Sequence, residues 1–525
     1  MKKKRTLLGG AGIIMFATLG AKVLGALYRI PLTNMLGAEG MGVYQSVYPV
    51  YALILSVSGG AVPMAISVLV ASYSAAGENA RGVRLTLGAL AAMLTTGAAL
   101  TAALMLLNGA AARLQGTPEA ETGYLAIAPS IFFVSGIAVL KGYFQGKNNM
   151  NPTALSQITE ALGKLLFGML LAWLLLPKGV EYAVAGALAG VSIGEGLTFG
   201  VLAARFIVKD RIELKLPPLK EAKRLYKEIL AISLPIGIGG MIFPLAQFLD
   251  SFTVINILSM KMPAEVATAE YGLLSAPVNT LVNLPVSLAL GVGIAVAPHL
   301  AGSRAARDME AIRLKLSTSL KAAVALGVPF AALFLAAPAE VLGVIYPSLS
   351  ASEIRLAAEL LRIGAVNVVF LTLMQISVSV LQGLGCTSAP IKNLAAAGAL
   401  KIVAGIALLF AVGIQGVMWA NLSAYALGAV LNMVSVFNLT GKNSLLLQKS
   451  GVSCALGAII LVPTALASVF GLSAWAVLGL AAVSGIIYLA ALVALPVFTY
   501  RELVSLPMGA KLARFNAKFN SDKGE

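Results

Sequence analysis

LKGYFQGKNNMNPTALSQITEALGK, residues Leu140–Lys164, leaves one apolar run, turns at the polar Lys147–Pro152 and enters a second apolar run carrying Glu160 and Lys164. A weaker copy stands at Leu381–Lys401, LQGLGCTSAPIKNLAAAGALK. In each copy a Gln-Gly pair (Gln145-Gly146, Gln382-Gly383) closes the first run, and a proline (Pro152, Pro390) opens the second. In each, a lysine lies nineteen residues after the glutamine, inside an apolar stretch (Lys164, Lys401). One folding unit used twice, with a charge buried in each copy, is the pattern of a helical membrane transporter.

The composition agrees. Hydrophobic residues make up 59% of the 525-residue chain and charged residues 11%, with a mean hydropathy of +0.90. Gly and Pro recur inside the apolar runs, which helical membrane proteins tolerate and soluble helices do not. A hydrocarbon core of ~30 Å needs about 20 apolar residues per helix. The sequence offers fourteen such segments, approximately 7–33, 43–71, 85–108, 123–140, 153–176, 182–204, 229–257, 271–297, 316–338, 356–381, 393–412, 416–437, 451–470 and 475–498. The expected fold is therefore an all-α integral membrane protein of about fourteen transmembrane helices. It has two pseudo-symmetric six-helix lobes, a C-terminal helix pair and cytoplasmic N- and C-termini. The lobes are expected at 1–206 and 229–437, joined by a basic cytoplasmic linker at 207–228. The extra pair covers 438–498, and a basic tail covers 499–525.

The net charge of +16 invites a nucleic-acid reading, but its placement excludes one. With the N-terminus inside, the outer loops and their helix ends hold only Arg113, Lys178, Lys261, Arg355 and Arg362, while the inner loops are rich in Lys and Arg. That asymmetry is topology information. The opening MKKKRTLLGGAGIIMFATLGA has the basic start and small-residue end of a signal peptide, but its apolar run continues past Ala21, so it reads as the first span. Cys386 and Cys454 fit no ligand or disulfide pattern, and one histidine, His299, gives no metal cluster. His299, beside Arg304 and with no carboxylate close in sequence, reads as an interfacial residue.

The ionisable residues expected within spans are Lys22, Arg29, Lys164 and Lys401 against Glu160, Glu195 and Asp250. Such residues are costly in lipid and mark functional sites by default. Lys22 and Arg29 are seven apart and share a helical face. Glu160 and Lys164 are spaced i, i+4 and are expected to pair with each other. Asp250, near Gln247 and Asn256, is a candidate for binding Na⁺ or a proton, or a counter-ion for Lys401. Glu195 and Glu160 are the other coupling candidates. A cavity with surplus cations selects an anion, and Arg matches phosphate oxygens bidentately. Gly59-Gly60 with Pro63 predicts a weakened or bent helix. Gly186, Gly190 and Gly194 form a face that lets two backbones approach closely. Tyr44, Tyr48 and Tyr51 read as an aromatic band.

Three stretches carry a resemblance over nearly the whole chain: GAKVLGALYRIPLTNMLGAEGMGVYQ (Gly20–Gln45), SGGAVPMAISVLVASYSAAGE (Ser58–Glu78) and GYFQGKNNMNPTALSQITE (Gly142–Glu160). The chain resembles the multidrug/oligosaccharidyl-lipid/polysaccharide (MOP) exporter superfamily, in its stage V sporulation protein B-like and lipid II flippase-like branch. The resemblance implies a two-lobed, V-shaped bundle that works by alternating access. Its partners would be the lipid bilayer and an undecaprenyl-diphosphate-linked saccharide, flipped across a bacterial cytoplasmic membrane by a monomer. It also implies a basic cluster for the diphosphate in the first two helices, with Lys22 at one such position, Tyr28 at another just before Arg29, and apolar Leu53-Ile54 at a third. Lys164 and Lys401 are the candidates to compensate. The terminal helix pair would serve the lipid tail. No cofactor is expected; Na⁺ or H⁺ coupling, or the membrane potential, would drive the cycle. A cation-coupled multidrug exporter of the same fold is the alternative. A membrane enzyme on the same lipid finds no paired catalytic carboxylates or long external loop to support it.

Overall fold

The computed structural model describes residues 7–59, 61–210, 218, 224, 226–233, 237, 241–441, 444–495 and 497–504. Among these the chain is helical, with no strand. Among the described residues eleven helices are long and apolar enough to cross a membrane, and two shorter apolar helices, Val62–Ala75 and Pro244–Leu258, accompany them. The chain is a multi-pass membrane protein. Most of the expected linker and most of the expected tail lie outside the described residues. The chain clusters into two compact units, Met1–Gly272 and Leu273–Glu525.

In the first unit the backbone runs from Leu7 to Ser58 as helix broken once, at Gly37 (φ 69°, ψ −172°). Only glycine adopts that conformation without strain, so the stretch between the expected spans 7–33 and 43–71 is a sharp break between two helical halves. The second half ends at Ser58, and a new helix, Val62–Ala75, starts with proline in its first turn. The bend expected at Gly59–Pro63 is thus a full break, because Pro63 supplies no N–H to continue the ladder.

The duplicated motif builds the same turn in each unit. The Glu121–Gly146 helix ends with Asn149 N–H on Phe144 O (2.8 Å) and Asn148 N–H on Gln145 O (2.9 Å), Asn148 being left-handed (φ 52°). The Ala351–Gly383 helix ends with Cys386 N–H on Leu381 O (2.8 Å) and Gly385 N–H on Gln382 O (2.9 Å), Gly385 being left-handed (φ 70°). Both are Schellman-type stops that satisfy the last carbonyls of the helix. The glycine of each Gln-Gly pair sits against an earlier helix of its unit. A Cβ on Gly146 would lie 2.7 Å from Ser67 O, and one on Gly383 2.7 Å from Ala297 O. The next helices start at Asn151 and Ser388.

The two copies then diverge. Lys401 lies within an unbroken α-helix, Ser388–Val412. Lys164 opens a π-turn, Lys164–Gly168, between the Asn151–Gly163 and Met169–Leu175 helices. The glycine face of the Val180–Asp210 helix packs onto this widened turn. A Cβ on Gly190 would fall 2.1 Å from Gly168 N, and one on Gly163 would fall 2.5 Å from Gly194 Cα. A Cβ on Gly186 would meet the Leu171 backbone at 2.7 Å. The stripe is the close backbone contact that its spacing predicts.

Candidate functional site

Lys164 leaves the π-turn with its ammonium over two tyrosine faces. Nζ lies 4.5 Å from the Tyr48 ring centroid and 5.5 Å from that of Tyr28, and it donates to Tyr48 Oη at 3.3 Å. The two rings come from opposite sides of the Gly37 hinge, so the broken first helix is what assembles this cradle. Tyr28 is buried, its hydroxyl donating to Ala187 O at 3.4 Å. Tyr48 stacks on Tyr44 with centroids 6.0 Å apart and meets Tyr51 edge-on at 5.8 Å. Of the tyrosines expected as an aromatic band, Tyr48 faces a cation inside the bundle instead, and Tyr44 and Tyr51 are buried against it. Each ring face offers the ammonium about 0.5–2 kcal/mol without neutralising its charge.

The expected Glu160–Lys164 pair does not form. Glu160 Oε1 accepts from Lys141 Nζ at 2.6 Å, with both side chains largely buried. The polar turn folds the preceding helix back alongside, so the residue nineteen positions earlier is closer than the one a helical turn ahead. The π-turn starting at Lys164 swings its side chain toward the first helix. Lys141, one residue past the expected 123–140 span, is a site residue that sequence reading missed.

Arg29, half-buried, lies within electrostatic reach of Tyr28, Tyr44, Lys164 and Tyr271. Lys22, two turns earlier on the same helix, is exposed. Thr18 fastens that stretch to the Asn151–Gly163 helix by donating to Gln157 Oε1 at 3.0 Å. Asp250 stands on the Ile242–Leu258 helix within electrostatic reach of Tyr271, which also faces Arg29. Asn256, expected beside Asp250, turns away; its amide donates to Leu114 O and Phe252 O at 3.1 and 2.8 Å. Glu195 lies within electrostatic reach of Glu160, Lys141 and Lys164. One of its carboxylate oxygens is buried with no hydrogen-bond partner among the described residues. The first unit thus gathers Arg29, Lys164, Glu160 and Glu195, with Asp250 adjoining through Tyr271. Lys401 belongs to the second unit.

The second unit holds a buried pair that sequence reading also missed. Lys321 Nζ donates to both oxygens of Glu502 at 2.8 Å, and the side chains are 4% and 3% exposed. Ser317 Oγ (2.6 Å) and Thr499 N–H (2.8 Å) complete the carboxylate's shell. Burial alone would raise the Glu502 carboxyl, but these donors outweigh it and hold it below the usual carboxylate range. Thr499 and Glu502 read in hindsight as a capping box on the short Tyr500–Val504 helix, since Glu502 N–H returns to Thr499 Oγ1 at 3.3 Å.

The class is defined by these features: a multi-pass helical membrane protein with ionisable side chains gathered between the helices of one unit. Residues 7–303 match the polysaccharide biosynthesis protein family, and the chain belongs to it. It is 28% identical to stage V sporulation protein B of Bacillus subtilis (strain 168) over 61% of this chain and 62% of that one. It is 25% identical to the uncharacterized membrane protein YabM of the same organism over 99% of both chains. Identity to that organism's lipid II flippase MurJ is 22% over 85% of each. The fold is similar to a solved lipid II flippase MurJ in an inward closed conformation (TM-score 0.72, 16% identity, 93% of this chain and 99% of that one). It is also similar to an inward-facing multidrug resistance MATE family transporter (TM-score 0.65, 14% identity, 82% and 99%).

Proposed function

We propose that the chain is a flippase, not an enzyme, that moves a polyprenyl-diphosphate-linked saccharide across a bacterial cytoplasmic membrane by alternating access. The carrier is an undecaprenyl chain bearing a lipid II-type or related headgroup. The observation that carries this reading is the Lys164 ammonium, held by tyrosine faces rather than a carboxylate, with Arg29 within electrostatic reach. An ammonium whose partners are neutral rings and a hydroxyl is left to an anionic guest, with the Arg29 guanidinium nearby to meet phosphate oxygens. The relatives named lipid II flippase and stage V sporulation protein B support the same class of cargo. A Lys164 ammonium held by neutral rings repels the hydrophobic cations of a drug exporter.

On this reading fourteen helices cross the membrane with both termini on the cytoplasmic side, which the positive-inside asymmetry supports. Lys22 and Lys401 are further contacts for the diphosphate. Asp250, Glu195 and Glu160 are the groups through which Na⁺ or H⁺ would couple to transport, in a protein that works as a monomer without a cofactor. The test is the lipid that co-purifies, read by mass spectrometry, together with complementation of a flippase-deficient strain. Wild type is expected to carry a diphosphate lipid and restore growth. Lys164→Ala/Arg29→Ala is expected to lose both at normal expression. Full growth of that double variant overturns the diphosphate reading.

A further inference from the structure

Glu195 is set apart from the other two coupling candidates, Asp250 and Glu160, by its surroundings. Its Oε2 is buried and accepts from no described residue. The groups facing it can be named element by element. The Glu121–Gly146 helix presents Lys141, whose ammonium is committed to Glu160 at 2.6 Å. The Asn151–Gly163 helix presents Glu160, a second carboxylate. The π-turn presents Lys164, whose ammonium points to Tyr48. The first helix presents Tyr51, whose buried hydroxyl lies toward Ser130. The Met169–Leu175 helix brings no ionisable side chain, and Lys178 sits at the far end of the Val180–Asp210 helix. Nearby hydroxyls are spent on carbonyls: Ser192 on Ala126 O at 2.7 Å, Thr198 on Gly194 O at 2.8 Å and Ser130 on Ile127 O at 2.6 Å.

An anionic Glu195 would therefore hold a buried oxygen without a donor beside a second acid, the arrangement that neutralises one carboxyl of a pair. We propose that the Glu195 carboxyl is a proton-exchange site: it holds a proton in this conformation, and once deprotonated it competes with a bound anion for the Lys164 ammonium. The close backbone packing of Gly194 on the π-turn keeps that ammonium within reach, a Cβ on Gly194 lying 3.1 Å from Lys164 N. When Glu195 gives its proton to solvent, the carboxylate draws Lys164 away from Tyr48. When it takes a proton back, Lys164 returns to the tyrosine faces and to an anionic guest. Proton uptake and anion binding are thus linked with the same sign. This linkage rests on the diphosphate reading, whereas the proton site itself does not.

Infrared difference spectroscopy of the full chain in lipid nanodiscs tests both parts. The carbonyl stretch of a protonated buried carboxyl is expected at neutral pH, to fade at alkaline pH and to vanish in Glu195→Gln. Absence of the band in wild type, or its survival in Glu195→Gln, overturns the proton site. Adding geranyl diphosphate at a mildly alkaline pH is expected to restore the band in wild type and not in Lys164→Ala. Diphosphate that binds and leaves the band unchanged overturns the linkage while the cargo reading stands. Diphosphate that fails to bind rejects the cargo reading and the linkage together, and the pH titration still decides the proton site.

Discussion

Glu160 takes its cation from Lys141, across the polar turn at 2.6 Å, and not from Lys164 one helical turn ahead. This single exchange leaves Lys164 without a carboxylate and frees it to face Tyr48 and Tyr28. Lys141→Ala is therefore expected to destabilise the first unit by about 1–3 kcal/mol, because Glu160 is left buried and unpaired. Lys141→Ala/Glu160→Gln should recover most of that loss, while Lys164→Ala should cost less than Lys141→Ala. Thermal unfolding in detergent micelles, followed by tryptophan fluorescence, measures all three. An equal loss in Lys141→Ala and in the double variant would show that the pair contributes little.

The repeat was legible because it rests on turn chemistry. Gln-Gly, a left-handed residue two positions later and an early proline specify the same stop and restart in both units, at Asn148 and at Gly385. The site was half legible. Composition and span length pick out Lys22, Arg29, Lys164, Glu160 and Glu195 as charges in lipid, but partner choice depends on the π-turn and on the packing of helices distant in sequence. A period of 3.6 residues pairs Glu160 with Lys164 and cannot foresee a turn that rotates the lysine away. Lys321 and Glu502 are 181 positions apart, and no local pattern links them.

Gly190 is the position where the helix contact tolerates least. A Cβ there would lie 2.1 Å from Gly168 N and 2.2 Å from Gly168 Cα, with backbone on the other side that cannot swing away. Gly190→Ala is expected to cost at least about 1–3 kcal/mol by overpacking. Gly200 lies on the same helix with nothing within 4 Å of its Cβ position. Gly200→Ala is expected to be neutral or stabilising by about 0.5–1 kcal/mol through helix propensity. Yield of monodisperse protein and its melting temperature distinguish the two. Equal behaviour would mean that the glycine stripe is not the tight contact.

The Lys321–Glu502 pair predicts a pH dependence with a definite sign. The folded carboxyl of Glu502 is held below its ordinary range by Lys321, Ser317 and the Thr499 N–H, against the opposing effect of burial. A depressed carboxyl stabilises the folded state fully above its unfolded value of ~4.3, and loses that contribution as pH falls through the lower folded value. Wild type should therefore lose melting temperature across the acid range, and Glu502→Gln should start lower at neutral pH and show a flatter acid limb. The amide keeps the shape and loses the charge-assisted bonds, a difference of about 1–3 kcal/mol. Parallel acid limbs in the two proteins would place the pH dependence elsewhere.

Tyr48 supplies Lys164 with both a ring face at 4.5 Å and a hydroxyl acceptor at 3.3 Å, and these contributions can be separated. Tyr48→Phe keeps the face and removes one hydrogen bond, worth about 0.5–1.5 kcal/mol. Tyr48→Leu removes both, and the face adds up to about 2 kcal/mol at a desolvated site. Without the Tyr48 ring the ammonium keeps only the more distant Tyr28 face, at 5.5 Å, and turns toward the acids within its electrostatic reach, Glu195 among them. Diphosphate affinity should then fall in the order wild type, Tyr48→Phe, Tyr48→Leu, with the leucine variant weaker by about tenfold or more. Glu195→Gln/Tyr48→Leu should regain part of that loss, since the competing carboxyl has been removed. Calorimetric titration with geranyl diphosphate in nanodiscs ranks the four proteins. A leucine variant that binds as tightly as wild type would reduce Tyr48 to a packing residue and move the anion contact away from Lys164.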